Sequence, residues 1–213
     1  MDYILMLMPS MLQGWAITLQ LFFLTLISAL PIGIVMGIAR LSRFKPLRWF
    51  MELYVWVFRG TPLLLQLLFI YYGLMTVDIL LEREVAAYLA FVLNYSAYLA
   101  EIFRSGIQSI DQGQYEASDV LGLNRFQTMK NIILPQVFKR VLPPIGNEVI
   151  NLVKDSALIY ILAISELLRV AKTHVMRDDT FIPFIVAAIF YLLMTAIVQQ
   201  VFKWLESKFD YYR

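Results

Sequence analysis

The chain has 213 residues, of which 60% are hydrophobic and only 16% charged, with a mean hydropathy of +0.68; this exceeds what one soluble core of that length requires and points to a bilayer as the solvent. It has no cysteine and a single histidine, His174, which removes the raw material for disulfide frameworks, cysteine-based metal sites and thiol or histidine catalysis. The net charge of +2 excludes nothing by itself, and the information lies in where the charges fall.

No charged residue occurs between Tyr3 and Ala39, a run of roughly 37 residues where ~20 would cross the hydrocarbon. The part up to expected breaks at Pro9 and Gly14 reads as an interfacial segment or tilted extension, and 15–39 as the first span. Met1-Asp2 lacks a positive n-region and the apolar run is too long for a signal core, so no signal peptide is expected. Further charge-poor stretches place spans at 49–77, 85–103, 142–164 and 181–202. The expectation is an all-α, multi-pass membrane protein of five transmembrane helices forming one transmembrane domain over 1–213. An odd number puts the termini on opposite sides. One set of connections holds twelve Lys/Arg residues, among them Arg40, Arg43, Lys45, Arg48, Arg104 and Arg125, and the other only Arg83, Arg169, Lys172 and Arg177. The positive-inside rule then sets the N-terminus outside and the C-terminus in the cytoplasm.

The third and fourth spans are joined by the one long polar stretch, 111–135. Asp111-Gln112-Gly113-Gln114 supplies helix-start chemistry. From Tyr115 onward Ala117, Val120, Leu121 and Leu123 alternate with Glu116, Asp119 and Asn124 at helical spacing. A second apolar group, Met129, Ile132, Ile133 and Leu134, leads to Pro135, where a new helical element should begin. A helix lying on the membrane surface would have this pattern too.

The fixed positions go further. Glu116-Ala117-Ser118, then Gly122, Ile132 and Leu134-Pro135 fall at the spacing of the EAA loop, and this resembles the signature of permease subunits of ABC-type importers. Ser118 stands where the common form has a second alanine. Arg59-Gly60-Thr61-Pro62-Leu63, Ser96-Ala97-Tyr98 with Glu101 and Arg104, Gly113-Gln114, and 151–158, reading NLVKDSAL, are similar to the polar amino acid branch of that family, the histidine/glutamine/arginine type. The resemblance implies a type I ABC importer transmembrane domain in a bacterial cytoplasmic (inner) membrane. It implies a second permease chain, same or homologous, ABC ATPase subunits, an extracytoplasmic solute-binding protein and an amino acid substrate, with lipid around it and no nucleic acid. It makes Glu116, Ala117, Ser118, Leu121, Gly122 and Leu123 the ATPase-coupling residues. The chain has no Gly-x-x-x-x-Gly-Lys-Ser/Thr loop to cradle phosphates, so ATP and Mg belong to the partner ATPase, no cofactor is expected here, and the chain is not itself an enzyme. Leu121 and Leu123 would enter a groove of the ATPase, with Gly122 permitting close approach.

Ionisable residues inside spans are costly and suggest function. In the fourth span Glu148, Asn151 and Asp155 share one helical face at i, i+3, i+7, with Lys154 beside them. The excess of carboxylates favours an amino acid ligand with a cationic group, while an ion pair of Lys154 with Asp155 of a neighbouring chain or with Glu101 would serve structure alone. In the second span Thr61-Pro62 reads as N-cap and first helical residue after a break at Gly60, which would offer free N–H groups to a substrate carboxylate. Arg59 is either a partner in that site or a cytoplasmic anchor. Trp15, Trp49, Trp204, Tyr71-Tyr72 and Tyr211-Tyr212 suit interface belts. Dispersed methionines and lone His174 suggest no metal site. Two further classes stay open at this point: a secondary amino acid transporter or channel subunit not coupled to an ATPase, and a membrane scaffold.

Overall fold

The computed structural model describes residues 2–209; Tyr211, Tyr212 and Arg213 lie outside them. Helix α1 runs unbroken through Asp2–Ala39. The breaks expected at Pro9 and Gly14 are absent, and the reason is tertiary. Leu7 and Met11 are fully buried against the later helix α8, Leu167–Asp178. A Cβ on Gly14 would sit 3.1 Å from the Glu166 and Leu167 backbone, so this glycine admits a neighbour and does not end a helix. At 38 residues α1 is about 57 Å long, well beyond the ~30 Å hydrocarbon core.

After a short turn, α2 (Lys45–Gly60) ends at Thr61, and α3 (Leu63–Leu68) continues through a π-helical turn, Phe69–Gly73. The two pieces meet at 105°. The expected second span is therefore two helices, and neither is a span alone. Helix α4 (Arg83–Gln108) contains the third expected span and α9 (Ile182–Lys208) the fifth. Between them lie α5 (Gln112–Val120), the short α6 (Arg125–Gln127) with a π-helical turn to Ile133, and α7 (Leu134–Asp155). In the region of the fourth expected span the α-helix begins at Leu134 and stops at Asp155, and a 3-10 turn covers Ser156–Leu162. The external loop expected at 165–180 holds α8. Among the described residues α1, α4 and α9 are long and apolar enough to cross a membrane, and the bent α2/α3 pair makes a fourth candidate.

Helix α4 is the centre of the bundle. In lipid, helices gain no hydrophobic drive from one another, so small residues that let backbones approach do the packing. Gly33 and Gly37 of α1 are one turn apart and face Leu99, Ala100 and Phe103 of α4. Ala29, Ala97 and Ala100 are fully buried around them. On its other side α4 brings Gly106 against Val141 of α7, and Gly146 of α7 receives the Phe202 ring of α9. Polar contacts pin α1 at both ends. Near its start the Tyr3 hydroxyl donates to Asp178 at 2.6 Å, and Ser10 meets His174 at 2.8 Å. The Arg177 guanidinium and then the Tyr3 hydroxyl hold the Asp178 carboxyl well below its usual range. At the far end Arg40 pairs with Glu101 of α4.

These contacts separate two kinds of glycine. A Cβ at Gly33 would lie 2.5 Å from Leu99 Cβ, whereas one at Gly60 meets nothing within 4 Å. Gly33→Ala should therefore cost about 1–3 kcal/mol through overpacking, while Gly60→Ala should stay near neutral. Thermal unfolding of the purified protein in detergent measures both, and equal midpoints for the two variants would contradict the close α1/α4 contact.

Candidate functional site: a cavity at a broken helix

The break between α2 and α3 follows from Pro62. A residue before proline is pushed out of the α region; Thr61 has φ −121° and ψ 145°, so α2 must stop at Gly60. Pro62 is itself extended at ψ 137° and takes the N-cap position, making Leu63 the first helical residue. This corrects the expectation for Thr61, which closes α2 and does not cap α3. Its hydroxyl donates back to the Val57 carbonyl at 2.9 Å.

A helix that ends at membrane depth leaves carbonyls without donors. Here two side-chain amides supply them. Gln66 Nε2 donates to the Phe58 carbonyl (2.9 Å), the Thr61 carbonyl (3.0 Å) and Thr61 Oγ1 (2.8 Å). Asn94 Nδ2 of α4 holds Gln66 Oε1 at 3.0 Å and also reaches the Phe58 carbonyl at 3.1 Å. Both amides are buried. Sequence reasoning missed this pair, although a glutamine in LLLQLL and an asparagine in FVLNYS are conspicuous polar residues in apolar runs.

Behind the break opens a cavity of about 390 Å³ lined by Thr61, Pro62, Leu63, Leu64, Asn94, Tyr95, Tyr98, Glu148, Asn151, Asp155 and Leu158. The first α3 hydrogen bond is Gln66 N–H to the Pro62 carbonyl, so the N–H groups of Leu63 and Leu64 in the cavity wall have no intrahelical acceptor. The α7 face expected from spacing is there: Glu148, Asn151 and Asp155 all line the cavity, while Val149, Leu152 and Val153 are buried in the bundle. The Tyr95 hydroxyl donates to Asp155 at 2.8 Å and fixes that carboxyl. Two of the proposed site residues are not brought together with these. Lys154 is exposed and absent from the cavity wall, because a residue next to Asp155 on a helix points about 100° away. Gly60 lies in the wall of a neighbouring cavity together with Arg59. Glu101 pairs with Arg40, Arg59 and Arg104, not with Lys154.

In the polar loop Asp111 is the N-cap of α5, its carboxylate accepting from Gly113 N–H at 2.7 Å. The helix ends in a Schellman turn: Leu123 N–H bonds to the Ser118 carbonyl (3.1 Å) and Gly122 N–H to that of Asp119 (3.0 Å). Gly122 has φ +72°, and a Cβ there would meet nothing within 4 Å. Within the chain Gly122 thus serves the left-handed turn. Asn124 and Gln127 then form a reciprocal capping box. Ser118 is buried, its hydroxyl on the Gln114 carbonyl at 2.7 Å. Glu116, Ala117, Leu121 and Gly122 are exposed and Leu123 is half-buried. The projecting apolar surface is Val120 (88% exposed), Leu121 (74%) and Phe126 (72%).

A bundle with apolar helices long enough to cross a membrane and a polar cavity behind a broken helix defines a membrane protein of the kind that can admit a small polar solute. Residues 29–211 match the family described as binding-protein-dependent transport system inner membrane component, and the chain belongs to that family. It is similar to the arginine transport system permease protein ArtQ of Bacillus subtilis (strain 168), 38% identical over 94% of this chain and 92% of that one. The putative glutamine transport system permease protein GlnP of Rickettsia bellii (strain RML369-C) is 34% identical over 97% of both chains. A crystal structure of an amino acid ABC transporter with histidines superposes with a TM-score of 0.90 at 34% identity over 97% of both chains. The MetNI methionine ABC transporter shares the fold, with a TM-score of 0.73 at 16% identity over 98% of both chains.

Two substitutions test the local geometry. Gln66→Leu leaves the Phe58 and Thr61 carbonyls with fewer donors and should destabilise the fold by about 1–3 kcal/mol. Gln66→Leu with Asn94→Leu should cost less than the sum of the singles, since they share one network; additive losses in detergent unfolding would show that the amides act separately. Gly122→Ala should distort the Schellman turn at a cost of about 1 kcal/mol, lowering affinity for a partner at Val120, Leu121 and Phe126 without altering membrane insertion. Full partner affinity in Gly122→Ala would mean the turn's shape is unimportant.

Proposed function

We propose that the chain is the membrane-spanning permease subunit of an ATP-driven, binding-protein-dependent amino acid importer. It works by alternating access in a bacterial inner membrane, crosses five times counting the bent α2/α3 pair and α7, and has its N-terminus outside and its C-terminus in the cytoplasm. The observation that carries the reading is the 390 Å³ cavity with carboxylates at one wall and unpaired helix N–H groups at another. A zwitterion needs both. The N–H groups of Leu63 and Leu64, at the positive end of the α3 dipole, suit the α-carboxylate, and Thr61 borders them. Asp155, held by Tyr95, and Glu148 with Asn151 suit ammonium or guanidinium groups. Glu148 and Asp155 are seven residues apart, ~10 Å along the helix axis, a separation that an extended amino acid can bridge. The relatives named for arginine and glutamine transport support the class of substrate, and two acidic groups favour a cationic member.

Energy comes from elsewhere. The chain carries no nucleotide-binding loop, and the exposed Val120, Leu121 and Phe126 offer an ATPase subunit an apolar knob on a rigid turn. A solute-binding protein delivers the amino acid from outside, and a second permease chain completes the pathway. A secondary transporter would leave that knob without a partner.

The test is equilibrium binding of arginine and of glutamine to the purified, assembled complex. Glu148→Gln and Asp155→Asn should each weaken arginine binding about tenfold or more, near 1.4 kcal/mol. Glutamine should lose less than threefold at Glu148→Gln. Unchanged affinities in both variants, with folding intact, would remove α7 from the binding site. Reconstituted alone, the chain should neither hydrolyse ATP nor concentrate substrate.

A further inference from the structure

A second cavity, of about 500 Å³, adjoins the first. Its lining includes Arg40, Glu52, Trp56, Arg59, Tyr98 and Glu101, and Gly60 completes it beside Thr61 of the first cavity. Tyr98 lines both. Along α4 the order is Asn94, Tyr95 and Tyr98 in the first cavity, Tyr98 and Glu101 in the second, and then α5 with the apolar knob. The two spaces are therefore stacked along α4 toward the loop end.

The partition between them is a charged one. The Arg59 guanidinium lies 5.3 Å from the Tyr98 ring centroid and 3.7 Å from Glu101. Glu101 is already engaged by Arg40 and Arg104, so Arg59 is the third guanidinium on that carboxylate, in a wall where the charges of Arg40 and Arg59 are matched by those of Glu52 and Glu101. Arg40 is nearly buried, with its Nε–H unpaired. Glu52 is loosely held, 3.8 Å from an exposed Arg48. An arginine and a carboxylate held only by long contacts, Arg59 at 3.7 Å from Glu101 and Glu52 at 3.8 Å from Arg48, in the wall of one cavity can exchange those partners for the two ends of a zwitterion.

We propose that this second cavity is an exit-side site for the transported amino acid, with Arg59 and Arg40 taking its carboxylate and Glu52 its ammonium group, and that Tyr98 and Arg59 form the partition it passes. The proposal rests on the reading of the first cavity as the substrate site. Arg59 would leave Tyr98 and Glu101 for the arriving carboxylate, opening the partition as the substrate is received.

The chain has no cysteine, so single-cysteine reporters are clean. Gly60→Cys reports the second cavity, where a side chain meets open space, and Leu158→Cys reports the first. In the assembled complex in nanodiscs, saturating arginine should slow maleimide labelling at both positions at least threefold. Adding Arg59→Gln should abolish protection at Gly60→Cys and preserve it at Leu158→Cys, and Arg59→Lys should restore at least half of it. Adding Glu148→Gln should move protection at Leu158→Cys to higher arginine concentration and leave that at Gly60→Cys. The second site is overturned if Gly60→Cys stays unprotected at concentrations that protect Leu158→Cys, or if its protection survives Arg59→Gln. Protection at Gly60→Cys alone would uphold the second site and overturn the reading of the first cavity.

Discussion

A helix can stop inside a membrane only if its last carbonyls find donors, and the geometry of this protein depends on how Gln66 and Asn94 meet that demand. Pro62 forces the interruption, because Thr61 cannot stay helical before it. Without compensation the carbonyls at the end of α2 would face an apolar interior at several kcal/mol each. The Gln66 amide folds back over them, and Asn94 anchors that amide to α4. One network thereby fixes the 105° bend, the position of the α3 N-terminus and the mouth of the cavity.

The same dependence on α4 connects the cavity to the loop. Helix α4 carries Asn94, Tyr95 and Tyr98 at the cavity and Glu101 and Arg104 in the charge cluster, and it ends at Gln108, three residues before the Asp111 cap of α5. Close packing on α1 through Gly33 and Gly37, and on α7 through Gly106, makes these helices a unit that moves as one. The loop with Val120, Leu121 and Phe126 is thus joined to the helices that carry Asn94 and Glu148 by close backbone packing.

Much of this was legible in the sequence where a residue type has one physical meaning. The α5 cap at Asp111, the break at Thr61-Pro62 and the i, i+3, i+7 face of Glu148, Asn151 and Asp155 are local features, and each appears in the structure. What escaped depends on partners distant in the chain. Pro9 and Gly14 look like breaks until α8 is seen packed on Leu7, Met11 and Gly14 of the same helix. Gln66 and Asn94 are 28 residues apart, and their pairing has no local signal. At Gly122 the left-handed backbone adds a demand for glycine that the sequence alone does not display, since it appears only in φ. Charge gaps start the fourth stretch at 142 although α7 begins at Leu134, because Lys139 and Arg140 in its first turns interrupt the apolar run without interrupting the helix.

The two polar anchors of α1 have different characters, and the contrast suggests which end yields. At the start, Tyr3 and Ser10 are tied to Asp178 and His174 by single hydrogen bonds of ordinary length, across one short helix. At the other end Arg40 shares Glu101 with Arg59 and Arg104, drawing α1, α2 and α4 onto one carboxylate. Arg59 is the most exposed and most distant of the three, so it can depart while Arg40 and Arg104 still satisfy Glu101. A cluster built with one more cation than it needs can release α2 and keep α1 fixed to α4. The loosest partner at that junction is then α2, the helix whose end borders the cavity.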